Sequence, residues 1–172
     1  MHKDEYSALD GLGLAQLIKQ GEVTPTEALA AAQSLLKEKN SSLNAMVLSM
    51  DAQAVKTIEA GLPSGAFTGV PFALKDLGMQ YKGEVTSNGS RLFSDCVATH
   101  DSTLVQRYKA AGLVICGKSN TPEFGLATTT EPVLFGPTHN PWKHGYSSGG
   151  SSGGASALVA AGILPMAHAS DG

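Results

Sequence analysis

Apolar and polar positions follow two rhythms along the chain. Leu14, Leu17 and Ile18 recur at helical spacing, and Gly21 stands where that helix should stop. Thr24-Pro25-Thr26-Glu27 carries the marks of a second helix start. A hydroxyl stands at the cap, a proline at the first helical position and a glutamate three residues past the cap. This helix is predicted to run through Ala28, Ala31, Leu35 and Leu36. Ala45-Met46-Val47-Leu48 reads as a short buried strand, and Asp51 as the cap of a third helix ending near Gly61. Phe72-Ala73-Leu74, led in by Gly69-Val70-Pro71, reads as another strand. Asp101 is predicted to cap a helix carrying Leu104, Val105 and Tyr108, with Gly112 past its end. Leu113-Val114-Ile115-Cys116 then follows as a continuously apolar strand. Helix, glycine and apolar strand make half of an α/β unit, and such strands usually lie inside a covered parallel sheet. Residues 120–142 are mostly loop, with prolines at 122, 132, 137 and 141. A glycine-serine block at 145–154 leads into a small-residue helix at 155–161 and a strand at 163–167. Pro165 requires that strand to be bulged or to have a free N–H side.

Composition narrows the class. A chain of 172 residues is one domain or a piece of a larger one, and 42% hydrophobic against 16% charged residues argues against disorder. A net charge of −3 gives no electrostatic case for nucleic acid or an anionic membrane. No apolar run approaches the ~20 residues of a membrane span. The start, MHKDEYSALDG, holds no apolar signal core, so a cytoplasmic location is expected. Cys96 and Cys116 alone make neither a disulfide scaffold nor a zinc site. The five histidines (His2, His100, His139, His144 and His168) show no paired ligand spacing, so no metal is expected.

Four features invite a chemical reading. Gly112 to Ser119 fits the phosphate-loop pattern GxxxxGK[ST], but strand formers fill its middle and Pro122 follows closely. A buried strand ending in a turn is the better reading. Gly145-Tyr146-Ser147-Ser148-Gly149 and Gly149-Gly150-Ser151-Ser152-Gly153 both fit GxSxG, yet no core strand precedes them as a nucleophile elbow requires. A flexible linker is one alternative. The favoured one is a tight loop whose glycines let the backbone approach a substrate while serines supply hydroxyls. Lys75 closes an apolar run. Most lysines so placed are solvated, or here paired with Asp76, whereas burial would lower the pKa and make the amine a base. Cys116, inside an apolar strand, reads as inert core.

GVPFALKD at 69–76, GKSNTPEFG at 117–125, FGPTHNPW at 135–142, SSGGSSGGASALVAAG at 147–162 and PMAHASDG at 165–172, in that order, resemble the amidase signature family. The resemblance covers residue 69 to the end and, more weakly, the N-terminal helices. It implies an α/β fold with a mixed, twisted sheet flanked by helices, and a Ser–cis-Ser–Lys triad. Lys75 would be the triad lysine and Ser151 the bridging serine with a cis peptide bond. Ser152 and Ser170 would support them by hydrogen bonds. Asp171 would stand just before the oxyanion loop, and Gly172 would give its first N–H donor. Thr128 and Thr129, in a loop Thr128-Thr129-Thr130-Glu131 expected to face the site, and Gly149 and Gly150 are expected to help seat the substrate.

The family's nucleophilic serine follows in a GGS segment beyond Gly172. Residues 1–172 therefore read as the N-terminal part of a single amidase domain, expected to be inactive alone. The function implied is hydrolysis of a small carboxylic amide through an acyl-enzyme, with no cofactor. The expected partners are the amide substrate and the C-terminal remainder of the amidase, with a homodimer left open and neither nucleic acid nor membrane. Three alternatives stay open: the glutamine-hydrolysing component of a tRNA-dependent amidotransferase, a non-catalytic interaction fragment, and an ordinary α/β-hydrolase.

Overall fold

The computed structural model describes residues 1–171. Its first three helices start where a side chain satisfies a free N–H group of the helix. After a short α1 (Lys3–Ser7), α2 (Gly11–Gln20) is capped by the Asp10 side chain and stops at Gly21, whose φ of 76° is left-handed. The long α3 (Pro25–Leu43) opens on a capping box, with the Thr24 hydroxyl and the Glu27 carboxylate each satisfying the other's backbone N–H. Two expected caps fall elsewhere. Met50 precedes α4 (Asp51–Glu59), and Asp51, its first helical residue, accepts from Gln33 of α3. Ser102 precedes α5 (Thr103–Ala110), and Asp101 turns back to the Lys82 N–H and the Lys109 ammonium.

Three strands form a mixed sheet in the order β1-β3-β2, flanked by helices, which gives an α/β fold. β2 (Pro71–Lys75) runs parallel to β3 (Val114–Ser119), and β1 (Met46–Ser49) runs antiparallel to β3 on its other edge. Every residue of β2 and β3 is buried, as continuous apolar runs in a covered sheet should be. Gly117 is required at its position: a Cβ there would strike the Met46 side chain and lie 2.6 Å from the Leu48 carbonyl oxygen. The core joins Leu14, Leu29, Phe72, Leu74, Val105 and Leu158, each buried large side chain contributing about 1.5–3 kcal/mol. The strand expected at 163–167 reduces to one parallel bridge, Ala167 to Ala73, followed by a hydrogen bond from the His168 N–H to the Ala73 carbonyl. Pro165, which has no N–H to give a ladder, accounts for the shortening. α6 (Gly153–Ala160) packs against all three strands.

Candidate active site

Strand geometry decides where Lys75 points. Lys75 pairs with Ser119 and Leu74 with Lys118, and side chains alternate across a sheet, so the two lysines project to opposite faces. Both are fully buried. Lys75 Nζ donates to Ser151 Oγ at 2.7 Å and to Ser170 Oγ at 2.9 Å. These hydroxyls come from segments 76 and 95 residues away. Burial holds the Lys75 amine below the ordinary lysine range, while the Asp171 carboxylate pulls the other way.

Ser151 stands just ahead of α6, and the Gly150–Ser151 peptide bond is cis. Glycines let this segment sit deep. A Cβ on Gly150 would lie 2.8 Å from Thr128 C and Thr129 N, and one on Gly154 would strike the Asn120 backbone and come 2.7 Å from the Ala45 carbonyl. Thr130 Oγ1 donates to the Gly149 carbonyl at 2.9 Å and accepts the Gly153 N–H at 3.1 Å. Ser152 closes a reciprocal pair with Ser170, its hydroxyl accepting the Ser170 N–H and donating to the Ser170 carbonyl, both at 3.1 Å. Residues Gly150, Ser152, Ser156, Ala169, Ser170 and Asp171 line a cavity of about 330 Å³ beside these groups. His168 backs Lys75: its Nδ1 faces the Lys75 N–H at 3.4 Å and its ring lies 5.9 Å from Tyr108. Burial, with the nearby Lys75 amine, lowers the His168 pKa.

Lys75, Ser151, Ser152 and Ser170 thus converge, with Gly149, Gly150 and Asp171 beside them. The Thr128 and Thr129 side chains are exposed, and they meet this segment through their backbone. Of the three threonines in that loop the buried one is Thr130, which the sequence pattern does not set apart from the other two. Gly172 lies outside the described residues. The segment that suggests a phosphate loop is β3, and Cys116 within it is a buried thiol pushed up to about 12. Asp76 does not pair with Lys75. It faces Lys118 and Ser87 across the sheet. A usable signal for Lys118 is its position: like Lys75, it follows an apolar run ending a strand.

The residues can exchange a proton between a buried amine and the half-buried Ser151 hydroxyl, next to residues that line the cavity. Among the described residues, no group of three or more His, Cys, Asp or Glu side chains is placed to hold a metal ion, and no helix is long and apolar enough to cross a membrane.

Known proteins share this arrangement of chain. The 6-aminohexanoate-cyclic-dimer hydrolase of Paenarthrobacter ureafaciens is 42% identical over 164 residues, covering 94% of this chain and 33% of the relative. A glutamyl-tRNA(Gln) amidotransferase component of Agathobacter rectalis is 39% identical over 174 residues, covering 97% of this chain and 34% of the relative. A solved structure of 6-aminohexanoate cyclic dimer hydrolase complexed with substrate superimposes with a TM-score of 0.89 at 40% identity, over 94% of this chain and 33% of that one. The chain therefore spans about a third of the length of the relatives it matches. Residues 26–172 match the amidase family model, and the chain belongs to the amidase family.

Proposed function

We propose that residues 1–172 form the N-terminal part of one amidase domain and supply the lysine and bridging serine of a Ser–cis-Ser–Lys triad that hydrolyses a small carboxylic amide. The observation that carries this is the 2.7 Å contact between Ser151 Oγ and the fully buried Lys75 Nζ. In the neutral amine that hydrogen bond reverses, and the Ser151 hydroxyl donates to Lys75. The nucleophilic serine is assigned to the part of the protein outside residues 1–172, in keeping with coverage of about a third of each relative.

The nucleophile's proton moves to Ser151 Oγ while Ser151's own proton moves to Lys75 Nζ, and the freed alkoxide forms a C–O bond to the amide carbon. Backbone donors starting at Gly172 hold the oxyanion, each worth roughly 3–4 kcal/mol in a formed site. The proton then returns through Ser151 to the leaving nitrogen as the C–N bond breaks, which an amine leaving group requires. Water, deprotonated by the same relay, releases the acid. Ser170 shares Lys75 Nζ and Ser152 ties down the Ser170 backbone, so both keep the amine aimed.

The test is turnover by the full-length protein of 6-aminohexanoate cyclic dimer, p-nitroacetanilide and glutamine, reading amine or ammonia release. Lys75→Ala and Ser151→Ala should each abolish hydrolysis in a folded protein. Wild-type rates in folded Lys75→Ala would defeat the assignment. Ammonia from glutamine alone, with neither other amide cleaved, would favour the amidotransferase reading.

A further inference from the structure

On the face of the sheet away from Ser151 lies a buried lysine that the proposed chemistry does not use. Lys118 Nζ donates to the Val85 carbonyl and to Thr86 Oγ1, both at 2.5 Å, and stands 3.9 Å from Asp76 Oδ1. Asp76 is itself buried, directly follows Lys75, and accepts from both the Ser87 N–H, at 3.1 Å, and the Ser87 hydroxyl. One cation therefore meets the end of β2 and the segment 85–90 together.

That segment reaches the other half of the site. The Asn88 carbonyl accepts the Phe124 N–H at 2.8 Å, and Ser90 Oγ donates to Glu123 at 2.6 Å. Gly89 lies so close to the next loop that a Cβ would stand 2.7 Å from the Thr121 carbonyl oxygen. The same loop carries Gly125, where a Cβ would stand 3.7 Å from Ser151 Oγ. Two routes thus start at Lys118: through Asp76 to Lys75, and through residues 85–90 and 122–125 to the flank of Ser151.

We propose that Lys118 is a positioning residue for the Lys75–Ser151 pair, its buried ammonium fixing Asp76 and residues 85–90 and, through them, both members of the pair. This rests on the amidase reading above. An uncompensated buried carboxylate is costly, so removing the ammonium leaves Asp76 to be protonated or hydrated and both routes loosen. Burial lowers the Lys118 pKa to about 8, while Asp76 and Glu84 favour its charged form. The charged and titratable neighbours of Lys75 are Asp171 and His168.

The experiment is Lys118→Met in the full-length protein, with p-nitroacetanilide or whichever amide the wild type cleaves. A second readout is the titration of Lys75, followed by NMR of ¹³Cε-labelled lysine and assigned with Lys75→Arg. Expected are a kcat at least tenfold lower, a KM within threefold, and a Lys75 midpoint that rises toward an exposed lysine's as water enters. Adding Asp76→Asn, which removes the unpaired carboxylate, should recover at least threefold of the lost kcat. Should Lys118→Met not fold, Thr86→Val removes one acceptor of the ammonium and should move both readouts in the same directions by a smaller factor. A folded variant with unchanged kcat and an unchanged Lys75 midpoint overturns the proposal. A wild type that cleaves no amide defeats the amidase reading instead, and the titration still decides the role of Lys118.

Discussion

Replacing Gly154 with alanine sets two effects of opposite sign against each other. Gly154 lies in the first turn of α6, where alanine would gain up to ~1 kcal/mol over glycine from helix propensity. The added methyl group would strike the Asn120 backbone, stand 2.6 Å from its carbonyl oxygen and 2.7 Å from that of Ala45. None of these atoms belongs to a side chain that can swing away. Both residues are held in a backbone ladder, Asn120 N–H to the Ala45 carbonyl at 2.9 Å and Gly154 N–H to the Asn120 carbonyl at 3.2 Å. Overpacking of this kind costs ~1–3 kcal/mol, and rigid neighbours put it in the upper half. Crowding should win, with a net loss of about 1–2 kcal/mol. At ~2–4 °C per kcal/mol for a domain of 150–250 residues, and less for a chain as long as the relatives, Tm should fall by at most about 2–8 °C. Urea unfolding followed by circular dichroism measures the free energy directly. Because Ser151 stands two residues ahead of α6, displacement of the helix should also slow amide turnover more than it weakens substrate binding. A stabilised Gly154→Ala protein would refute the close seating of α6 and leave helix propensity as the ruling effect.

The remaining predictions concern the site and its surroundings. Lys75 must be neutral to accept a proton, and burial lowers its pKa, so activity should fall as pH drops through that lowered value. The buried amine costs nothing above the ordinary lysine pKa and most below its folded pKa, so its contribution to stability should worsen as pH falls between the two. A flat pH–rate profile from acid to alkaline pH would contradict this. Ser170→Ala removes one of the two hydroxyls on Lys75 Nζ, worth about 1–1.5 kcal/mol, and should lower kcat by up to roughly tenfold with KM little changed. A thiol reagent should modify exposed Cys96 in the native protein and spare buried Cys116, as peptide mass mapping would show.

Local chemistry makes much of the fold readable. The hydroxyl, proline and glutamate at 24–27 specify a helix start by themselves, and the apolar runs at 71–75 and 113–116 can only be satisfied inside a covered sheet. What the sequence hides involves partners distant along the chain. Asp51 and Asp101 look like caps by position, but each finds a stronger partner in Gln33 or in Lys109 and the Lys82 N–H. The lysine and serine contacts follow from the family's motifs, since no periodicity in the chain brings residue 75 to residue 151. Thr130 does not stand out from Thr128 and Thr129 because the sequence shows three threonines in a row, not which of them turns inward. Lys118 enters the sequence pattern as part of a phosphate loop, which the strand formers around it dismiss, and of the GKSNTPEFG segment, where no role attaches to it. Its importance depends on register, which pairs it with Leu74 rather than Lys75.

That pairing makes the sheet a partition one residue thick. On one side an amine keeps company with hydroxyls and can trade a proton. On the other an amine of the same kind is bound to a carboxylate and two oxygens and is committed to holding shape. Losing one residue from 71–75 would turn the wrong group toward the serines, because a single-step slip carries every side chain through to the opposite face. Insertions and deletions in this short strand should therefore be far less tolerated than substitutions at its apolar positions.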